Sequence, residues 1–435
     1  MRLNKFNVVT DGQWGSCGKG LIASALAERY RPPILSATSM PNAGHTAVSV
    51  NGEKFIAKAL PSAAILNLWY QDYAPHVILG AGAAFTLPQL LAEIEDCSLW
   101  LGLSIHPRAG VITQEHREAE SGNSIENGST KHLASTMQGC GAFLAQKTLR
   151  QPQLKLARDY PELEPYIDAA IKRFYPGNCS LAVMLNQLLQ AEQTTVLHEG
   201  AQGFSLDVNH GSHFPQCTSR QTTAAQNVAD MGIAPRHVGD VYLVIRPYPI
   251  RVGNVEENGK RVGYSGDGYE GQDEITWAEV AARCGAPEEV MKGELTTVTK
   301  RLRRVFEFSA QQLRESATIN GATQIALNFA NYIDWSCYGN NDWNKLPTVV
   351  LEWIDAIEQI SGVPVTIVGC GPQINHVCFK HDRELQTITK ADVGELNGEL
   401  IEQARVTYRD EDPRPYHDLE RLADEHHNGE SLDLK

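Results

Sequence analysis

The first thirty residues constrain the fold of this chain more than any other segment. Residues Phe6 to Thr10 are β-favouring and predict a buried strand, and the ten residues from Asp11 to Gly20 include four glycines. The run LIASALAERY that follows has a helical pattern. A strand, a glycine-rich turn and a helix in this order indicate an α/β protein.

Further apolar, β-rich runs alternate with helical segments along the chain. They predict strands at 76–79, 195–197, 241–245, 324–327 and 365–368. Several end in glycine or polar loops, as strands do at the binding edge of a parallel sheet. The segment 154–193 has a mostly helical pattern and is interpreted as a packing layer. We therefore predict an α/β fold with one large, mostly parallel central sheet, and with helical insertions and loops that close over its carboxyl edge.

Composition narrows the class of protein. Hydrophobic residues make up 42% and charged residues 21% of the 435 residues, which is typical of a globular chain with a buried core. A net charge of -14 argues against a protein that neutralises nucleic-acid phosphates. No run of eighteen apolar residues predicts a membrane span, and nine scattered cysteines without a C-x-x-C pair argue against a disulfide framework or zinc site. The N-terminus lacks the apolar run of a signal peptide, so the expected location is the cytoplasm.

The last 55 residues differ from the rest. Segment 381–435 contains 15 acidic and 7 basic residues and is poor in β-branched residues. We predict a catalytic domain at 1–380 and an acidic C-terminal extension at 381–435. A solvated tail is the favoured interpretation of this extension, and a lid or subunit contact is the alternative.

The glycine-rich loop has the features of a phosphate site. Its amides can turn toward an anion, the helix N-terminus adds positive potential, and Lys19 can neutralise phosphate charge. It is not a Walker A loop, because Gly20 stands where that motif has serine or threonine. A purely structural turn between strand and helix is the alternative.

Four later segments carry further candidate chemistry. They are Pro41–Thr46, which contains His45, Glu199–Gly203, which contains Gln202, Cys217–Arg220, and the basic run Thr296–Arg304. A glutamine at a strand end can hydrogen-bond a base edge, and clustered cations favour anions. A lone histidine is more often structural, and a basic run can be a solvated helix face.

Together these segments resemble the adenylosuccinate synthetase family, from Val8 to about Phe379. The resemblance rests on QWG-x-x-GKG, NAGHT, EGAQG, Thr218-Ser219 and an arginine-rich loop in this order. It implies an enzyme that joins L-aspartate to the 6-oxo carbon of a purine nucleotide. In the family, a nucleoside triphosphate with Mg²⁺ phosphorylates that oxygen, and the aspartate amine then displaces phosphate.

Ser16 and Cys17 stand where the common family loop has Asp and Glu. A phage-encoded branch of the family has serine there, and this chain also has that branch's strings EGAQGFSL, CTSR, ADMGI, PIRVGN, ELTTVT, RRVF-x-FS and LNF-x-NY. This resemblance implies a ligase that joins L-aspartate to C6 of dGMP with ATP hydrolysis. The products are N6-succino-2-amino-2'-deoxyadenylate, ADP and phosphate, in diaminopurine deoxynucleotide biosynthesis. Serine is smaller than aspartate and uncharged, so it leaves room for the guanine 2-amino group.

A second departure concerns the triphosphate. Family members that use GTP have an Asp that accepts two hydrogen bonds from guanine, and Asn331 is the corresponding residue here. An amide can pair with adenine N6 and N1, so ATP or dATP is the expected energy donor.

The resemblance implies the following roles. The catalytic residues are Ser16, Lys19, His45 and Gln202, and the metal ligands for Mg²⁺ are Ser16 and Gly44. ATP binding is assigned to Gly15, Ser16, Cys17, Gly18, Lys19, Gly20, Gly44, His45, Thr46, Arg303, Asn331, Gly369, Gly371 and Pro372. Binding of dGMP is assigned to Ser16, Asn42, Ala43, Ser135, Thr136, Arg150, Gln202, Thr218 and Val252. Aspartate binding is assigned to Thr297, Val298, Thr299, Arg301 and Arg303.

Arg150 matches a family arginine that reaches the nucleotide phosphate across a subunit interface, which implies a homodimer. The resemblance also places a phage-encoded enzyme in the host cytoplasm. Two alternatives stay open: an ordinary family member that acts on inosine monophosphate, and a catalytically silent nucleotide-binding regulator. Retention of Lys19, His45, Gln202 and the arginine loop argues against the silent regulator.

Overall fold

A nine-stranded sheet organises the part of the chain that our computed structural model describes, which is residues 1–99, 102–122, 129–169, 180–287, 289–296 and 300–380. Residues Met1–Lys380 form one compact unit. The proposed acidic extension at 381–435 lies outside the described residues, and the assignment of this domain stays a prediction.

The strands, in chain order, are β1 Phe6–Asp11, β2 Ile34–Ala37, β3 His45–Val48, β4 Lys54–Ala57, β5 His76–Leu79, β6 Ala84–Phe85, β7 Leu103–Ile105, β8 Gly110–Val111, β9 Val196–Glu199, β10 Val238–Ile245, β11 Ile250–Arg251, β12 Val255–Glu257, β13 Lys260–Gly263, β14 Glu274–Ile275, β15 Arg304–Phe306, β16 Gln324–Leu327, β17 Val365–Gly369 and β18 Val377–Phe379. Each predicted strand coincides with one of these, to within a few residues at its ends.

The strand order in the large sheet is β18-β17-β16-β10-β1-β9-β2-β5-β7. Each neighbouring pair is parallel except β17 with β18. In register, Val9 pairs with Glu199 on one side of β1 and with Tyr242 on the other. The prediction of a large, mostly parallel sheet is confirmed.

Helices cover the sheet. Those in the described part are α1 Lys19–Tyr30, α2 Leu66–Trp69, α3 Leu87–Asp96, α4 Gln114–Glu120, α5 Cys140–Thr148, α6 Leu181–Gln190, α7 Ala224–Met231, α8 Trp277–Cys284, α9 Ala310–Asn320 and α10 Thr348–Ser361. Successive residues of β1 belong to different hydrophobic clusters. Val9 is in a cluster with Ile22 of α1, and Val8 is in a cluster with Leu185 of α6. Burial of both faces explains why the central strands have continuous apolar sequences.

The prediction of a mostly helical segment at 154–193 is wrong for its first part. The described residues there form 3₁₀ turns at Ala157–Asp159 and Pro161–Tyr166, and an α-helix only at Leu181–Gln190. Proline lacks the amide hydrogen of an α-helical ladder, so Pro161 and Pro165 limit this stretch to short turns. Residues 170–179 lie outside the described part.

The strand order brings the candidate loops to one edge of the sheet. Parallel strands end at the same edge, and the segments that follow β1, β2, β9, β10 and β16 therefore meet there. These segments contain the glycine-rich loop at 11–20, called here the phosphate loop, the segment 41–46, called the His45 loop, and the segment 199–203, called the Gln202 loop. They also contain Arg246 and Asn331. Within the described ranges, every helix is too short or too polar to cross a bilayer. The eight cysteines described there are free thiols.

Candidate active site

The phosphate loop wraps around a buried carboxylate, Asp11, at the end of β1. One carboxylate oxygen of Asp11 accepts hydrogen bonds from the amides of Gln13 at 2.9 Å and Gly15 at 3.1 Å. The other oxygen accepts from the amide of Cys17 at 2.9 Å. The left-handed φ of 80° at Gly18 lets the chain leave the loop and enter α1. Asp11 therefore fixes the loop from inside, a role that sequence reasoning missed.

Lys19 is enclosed by the same loop. Its Nζ lies 3.2 Å from the Asp11 carboxylate and donates to the carbonyls of Gly15 at 3.1 Å and Gln202 at 2.7 Å. The side chain is 1% exposed. Lys19 thus fastens the Gln202 loop to the phosphate loop, and its predicted contact with phosphate stays a prediction.

A small cavity of about 70 Å³ opens beside this loop. It brings together ten of the predicted site residues, namely Gly15, Ser16, Asn42, Ala43, Gly44, His45, Thr136, Gln202, Val252 and Arg303. Trp14, Leu206 and Thr296 complete the wall. The residues come from segments far apart in the chain. Those that follow β1, β9 and β2 meet because these strands lie side by side in that order in the sheet.

His45 is paired with a buried carboxylate. Its Nδ1 lies 2.5 Å from Oε1 of Glu199, whose other oxygen accepts from the amide and hydroxyl of Ser62, both at 2.7 Å. Burial disfavours a charge on Glu199, but His45 and Ser62 outweigh burial and hold the pKa of this carboxyl below its usual range. Glu199 was missed as a site residue, although its position at the end of β9 in the EGAQG string was a usable signal.

Three polar atoms of the small cavity have no hydrogen-bond partner within the described protein. They are Nε2 of His45, Oδ1 of Asn42 and Nε1 of Trp14. Buried polar atoms are almost always paired in native proteins. The unpaired atoms of His45 and Asn42 in the His45 loop, and that of Trp14 in the phosphate loop, therefore indicate that this cavity is a ligand site. Trp14 was not among the predicted site residues.

A larger cavity of about 340 Å³ is lined by Gly18 at the end of the phosphate loop. Its predicted members are Gly18, Thr46, Asn331, Gly371 and Pro372, and its aromatic wall consists of Trp277, Phe329, Tyr332, Trp335 and Tyr338. Asn331 is 4% exposed, and its Oδ1 has no partner within the described protein. An apolar cavity of this size with one unsatisfied amide is suited to an aromatic base.

The arginine side chains of the arginine-rich segment lie in three different surroundings. Arg303 lines the small cavity, and burial lowers the pKa of its guanidinium. Arg301 donates to the carbonyls of Gly253 at 3.0 Å and Ala134 at 2.9 Å. Arg304 pairs with Glu274 at 2.6 Å. The predicted aspartate ligands Thr297, Val298 and Thr299 lie outside the described residues.

Some predicted residues line neither cavity. They are Cys17, Lys19, Gly20, Ser135, Arg150, Thr218, Gly369 and, for the aspartate site, Arg301. The Cys17 thiol donates to Oε1 of Gln13 at 3.0 Å, and burial together with Asp11 raises its pKa well above the ordinary value. Gly20 has a packing reason of its own, because a Cβ there would lie 2.8 Å from the Thr46 carbonyl. The functional roles of this group stay predictions.

A second ion pair near the two cavities was also missed; the Arg246 side chain is 0% exposed and the Glu294 side chain is 25% exposed. Arg246 follows β10, and Glu294 precedes the arginine-rich segment. The Nη2 of Arg246 lies 2.5 Å from Oε1 of Glu294. This pair connects distant parts of the chain, so no local sequence pattern marked it.

Comparisons with known proteins agree with this geometry. A model of adenylosuccinate synthetase matches residues 8–159 and 155–335. The N6-succino-2-amino-2'-deoxyadenylate synthase of Acinetobacter phage SH-Ab 15497 is 34% identical over 398 residues, which span 86% of this chain and 93% of that protein. The adenylosuccinate synthetase of Pyrococcus sp. (strain ST700) is 32% identical over 379 residues, which span 86% and 98%.

A solved structure is also similar. It is the succinoaminodeoxyadenylate synthetase of cyanophage S-2L bound to dGMP and dATP as an energy donor. The TM-score is 0.69 at 30% identity, over 92% of this chain and 99% of that chain. The family match over residues 8–335 and the similarity to these relatives lead to one conclusion. The chain belongs to the adenylosuccinate synthetase family and is a carbon–nitrogen ligase.

Proposed function

We propose that this ligase joins L-aspartate to C6 of dGMP with hydrolysis of ATP or dATP. The γ-phosphoryl group is transferred to O6 of the guanine. The aspartate amine then attacks C6, the C6–O6 bond breaks, and inorganic phosphate leaves. The products are N6-succino-2-amino-2'-deoxyadenylate, the nucleoside diphosphate and phosphate. Two kinds of similar protein support the proposal. Two phage relatives are named N6-succino-2-amino-2'-deoxyadenylate synthase, and the similar cyanophage structure has dGMP and dATP bound.

The observation that carries the proposal is Ser16 in the wall of the small cavity. It stands where the common family loop has an aspartate, and Asn42 and Gln202 line the same cavity. A short, neutral hydroxyl leaves space for the 2-amino group of guanine and can accept from it or from N1–H. When two substrates differ by one small group, the free energy of transition-state binding differs by about 1 to 3 kcal/mol between them, and lost hydrogen bonds increase this difference.

His45 and Glu199 supply electrostatic stabilisation in this proposal. The free Nε2 of His45 donates to O6 as negative charge develops there, and Gln202 assists from the same wall. Glu199, whose Oε1 lies 2.5 Å from Nδ1, fixes the orientation of the ring. Donors that are already oriented before the reaction are among the largest catalytic contributions.

Mg²⁺ fits the oxygens of the small cavity as an ion held mainly by substrate phosphates. Mg²⁺ usually retains few protein ligands, and Ser16 and Gly44 both line the wall. Within the described residues, no group of three His, Cys, Asp or Glu side chains could hold a metal by itself. When bound, the ion would neutralise charge on the transferring phosphoryl group. Ser16 and Gly44 would orient it.

The remaining substrates are assigned to neighbouring surfaces. The adenine base of the triphosphate occupies the larger cavity, where Oδ1 of Asn331 accepts from adenine N6. The two carboxylates of aspartate suit the guanidinium groups of Arg301 and Arg303, together with Thr297, Val298 and Thr299. The 5'-phosphate of dGMP is assigned to Ser135, Thr136 and Thr218 and to Arg150 of a second subunit.

The test is a direct competition among purine nucleotides. The protein is incubated with aspartate, Mg²⁺ and ATP, and in parallel with dGMP, GMP, IMP or dIMP, and product masses are recorded. We expect guanine nucleotides to gain the aspartate mass and inosine nucleotides to react poorly. Faster turnover of IMP than of dGMP at equal concentration would show an ordinary family member. No product from any of the four would favour the silent regulator.

A further inference from the structure

Arg246 is the most deeply buried cation between the two cavities in the described part of the chain. Its side chain is 0% exposed at the carboxyl end of β10. Nη1 donates to the carbonyl of Ser16 at 3.1 Å and to Oε2 of Glu294 at 3.2 Å. A buried charge is retained only when it is paired and hydrogen-bonded. Here Glu294 supplies the opposite charge and Ser16 a further acceptor, while Nε has no partner within the described protein.

The other face of the Arg246 guanidinium contacts the larger cavity. Its central carbon lies 4.0 Å from the ring centroid of Phe329 and 5.4 Å from that of Tyr332. Both rings line the larger cavity, and the Tyr332 hydroxyl donates to Glu294 at 3.1 Å. Arg246 and Glu294 therefore form the base of the aromatic wall.

Phe329 has an uncommon backbone conformation, with a φ of 61°. The left-handed region is unfavourable for a bulky residue, so neighbouring contacts must maintain it. Its amide donates to Oδ1 of Asn328 at 2.9 Å, and its ring stacks on Arg246. The position of the Phe329 ring thus depends on the guanidinium.

We propose that Arg246 is a positioning residue that couples the two cavities. A base that fixes Phe329 and Tyr332 in the larger cavity fixes the guanidinium, and the guanidinium fixes the Ser16 carbonyl in the wall of the small cavity. Among the described side chains, Arg246 is the one that contacts both Ser16 and Phe329. It reaches Ser16 through a charge-assisted hydrogen bond and Phe329 through a cation–π contact. The identity of the two ligands, ATP and dGMP, rests on the proposed function.

The chemistry of arginine suits this role. Its planar fork binds Glu294 through two nitrogens, reaches Ser16 and still presents a face to Phe329. Lysine carries one compact ammonium and cannot make these contacts together. Burial disfavours both charges, but their attraction holds the pKa of Arg246 above its ordinary value and that of Glu294 below it. Arg246→Lys therefore keeps the charge while it removes the link.

The experiment measures the coupling between ligands by calorimetry. The Kd of dGMP is determined alone and with a saturating non-hydrolysable ATP analogue plus Mg²⁺. For the wild type we expect the analogue to tighten dGMP binding about 5- to 150-fold, and dGMP to tighten the analogue by the same factor. For Arg246→Lys we expect both factors to fall toward one.

Arg220→Lys is the matched control. Arg220 pairs with Asp230, and the side chain of each is 10% exposed. Neither residue lines either cavity, so Arg220→Lys disturbs an arginine–carboxylate pair away from both ligand sites. We expect this variant to retain the wild-type coupling factor. A loss of coupling in Arg220→Lys as large as in Arg246→Lys would overturn the inference, because the effect would then be a general loss of rigidity.

The remaining outcomes separate this inference from the proposed function. A wild type that binds both nucleotides without coupling, or an Arg246→Lys protein that keeps the coupling, overturns the inference alone. A wild type that binds neither nucleotide overturns the proposed function as well. If Arg246→Lys does not fold, Glu294→Gln decides, because it weakens the clamp on the same guanidinium. Unchanged coupling in Glu294→Gln would also overturn the inference.

Discussion

At the scale of single residues, Asn331 is the side chain on which the proposed choice of triphosphate depends. It is buried in the larger cavity, and its Oδ1 has no partner in the described protein. A neutral amide cannot accept hydrogen bonds from guanine N1–H and the 2-amino group as a carboxylate does. It can accept from adenine N6 and donate to adenine N1.

We expect ATP or dATP to give a kcat/KM at least about tenfold above that of GTP. A missing polar partner in a buried site costs about 1 to 3 kcal/mol, or roughly 5- to 150-fold. Asn331→Asp should reduce the preference for ATP or dATP over GTP. A full reversal to GTP is not expected, because Phe329 stays in place nearby. Steady-state kinetics with each triphosphate measure this. A wild type that prefers GTP would show that Asn331 does not contact the base.

His198 makes a residue-scale prediction about pH. It lies in β9, where its Nδ1 is 3.0 Å from the Ser36 hydroxyl, and burial lowers its pKa to about 4. The unfolded chain binds this proton near pH 6.5, so stability is lost as pH falls from 6.5 toward 4. Between pH 7 and pH 5 the loss from this group is about 2 kcal/mol.

The measurement is urea unfolding at pH 7 and pH 5 for the wild type and His198→Gln. Glutamine keeps polar atoms near Ser36 and Asn227 but does not titrate. We expect the stability difference between the two pH values to shrink by about 2 kcal/mol in the variant. An equal difference in both proteins would mean that other groups account for the acid sensitivity.

At the scale of elements, the phosphate loop is held together by one strand-end carboxylate. Asp11 accepts from three loop amides and lies 3.2 Å from the Lys19 ammonium. Loss of its charge would leave Lys19 buried without an opposite charge. The geometry of the loop therefore depends on a residue outside the glycine pattern that revealed the loop.

Asp11→Asn should destabilise the protein by about 3 to 5 kcal/mol, which is typical when one partner of a buried ion pair is removed. We also expect ATP binding to weaken at least about tenfold, since 1.4 kcal/mol corresponds to this factor. Urea unfolding and calorimetry measure the two effects. Asp230→Asn is the control, because its pair with Arg220 lies outside both cavities. Similar ATP affinity in the two variants would count against a role for Asp11 in the loop.

At the scale of the whole molecule, Arg150 bears on the proposed homodimer. It follows α5 and is exposed, and its amide donates to the Lys147 carbonyl at 3.1 Å. It lines neither cavity of its own chain. A second subunit whose Arg150 reaches this chain's nucleotide would give the residue a function.

We expect Arg150→Ala and Lys19→Ala proteins to be poorly active alone and to recover part of the activity when mixed. One site of a hybrid dimer then regains both groups. Activity is measured against the mixing ratio, with each variant alone as the baseline. Absence of recovery, in mixtures shown by native mass spectrometry to contain hybrids, would place Arg150 in its own subunit's site or outside any site.

The sheet could be predicted from sequence to a greater extent than the site. Runs such as Val241–Ile245 and Gln324–Leu327 are apolar and β-branched because both faces of a central strand are buried. Contacts such as Arg246 with Ser16 join residues 230 positions apart and exist only because β10 lies beside β1. Local pattern carries no information on strand order, so Asp11, Glu199, Arg246 and Glu294 were missed. The helical prediction was wrong for the first part of 154–193 because Pro161 and Pro165 interrupt an otherwise helical pattern.

The hydrogen bonds that Asp11 accepts from the loop also limit which residues position 16 can accommodate. Its two oxygens bind the amides of Gly15 and Cys17, which are the neighbours of Ser16 on either side. An acid at position 16 would join a loop that already encloses one carboxylate, and like charges at close range resist joint ionisation. We therefore expect the effect of a residue change at position 16 to depend on the residue at position 11. An acid at position 16 should destabilise the loop more when Asp11 is present than when Asp11 is replaced by a neutral residue.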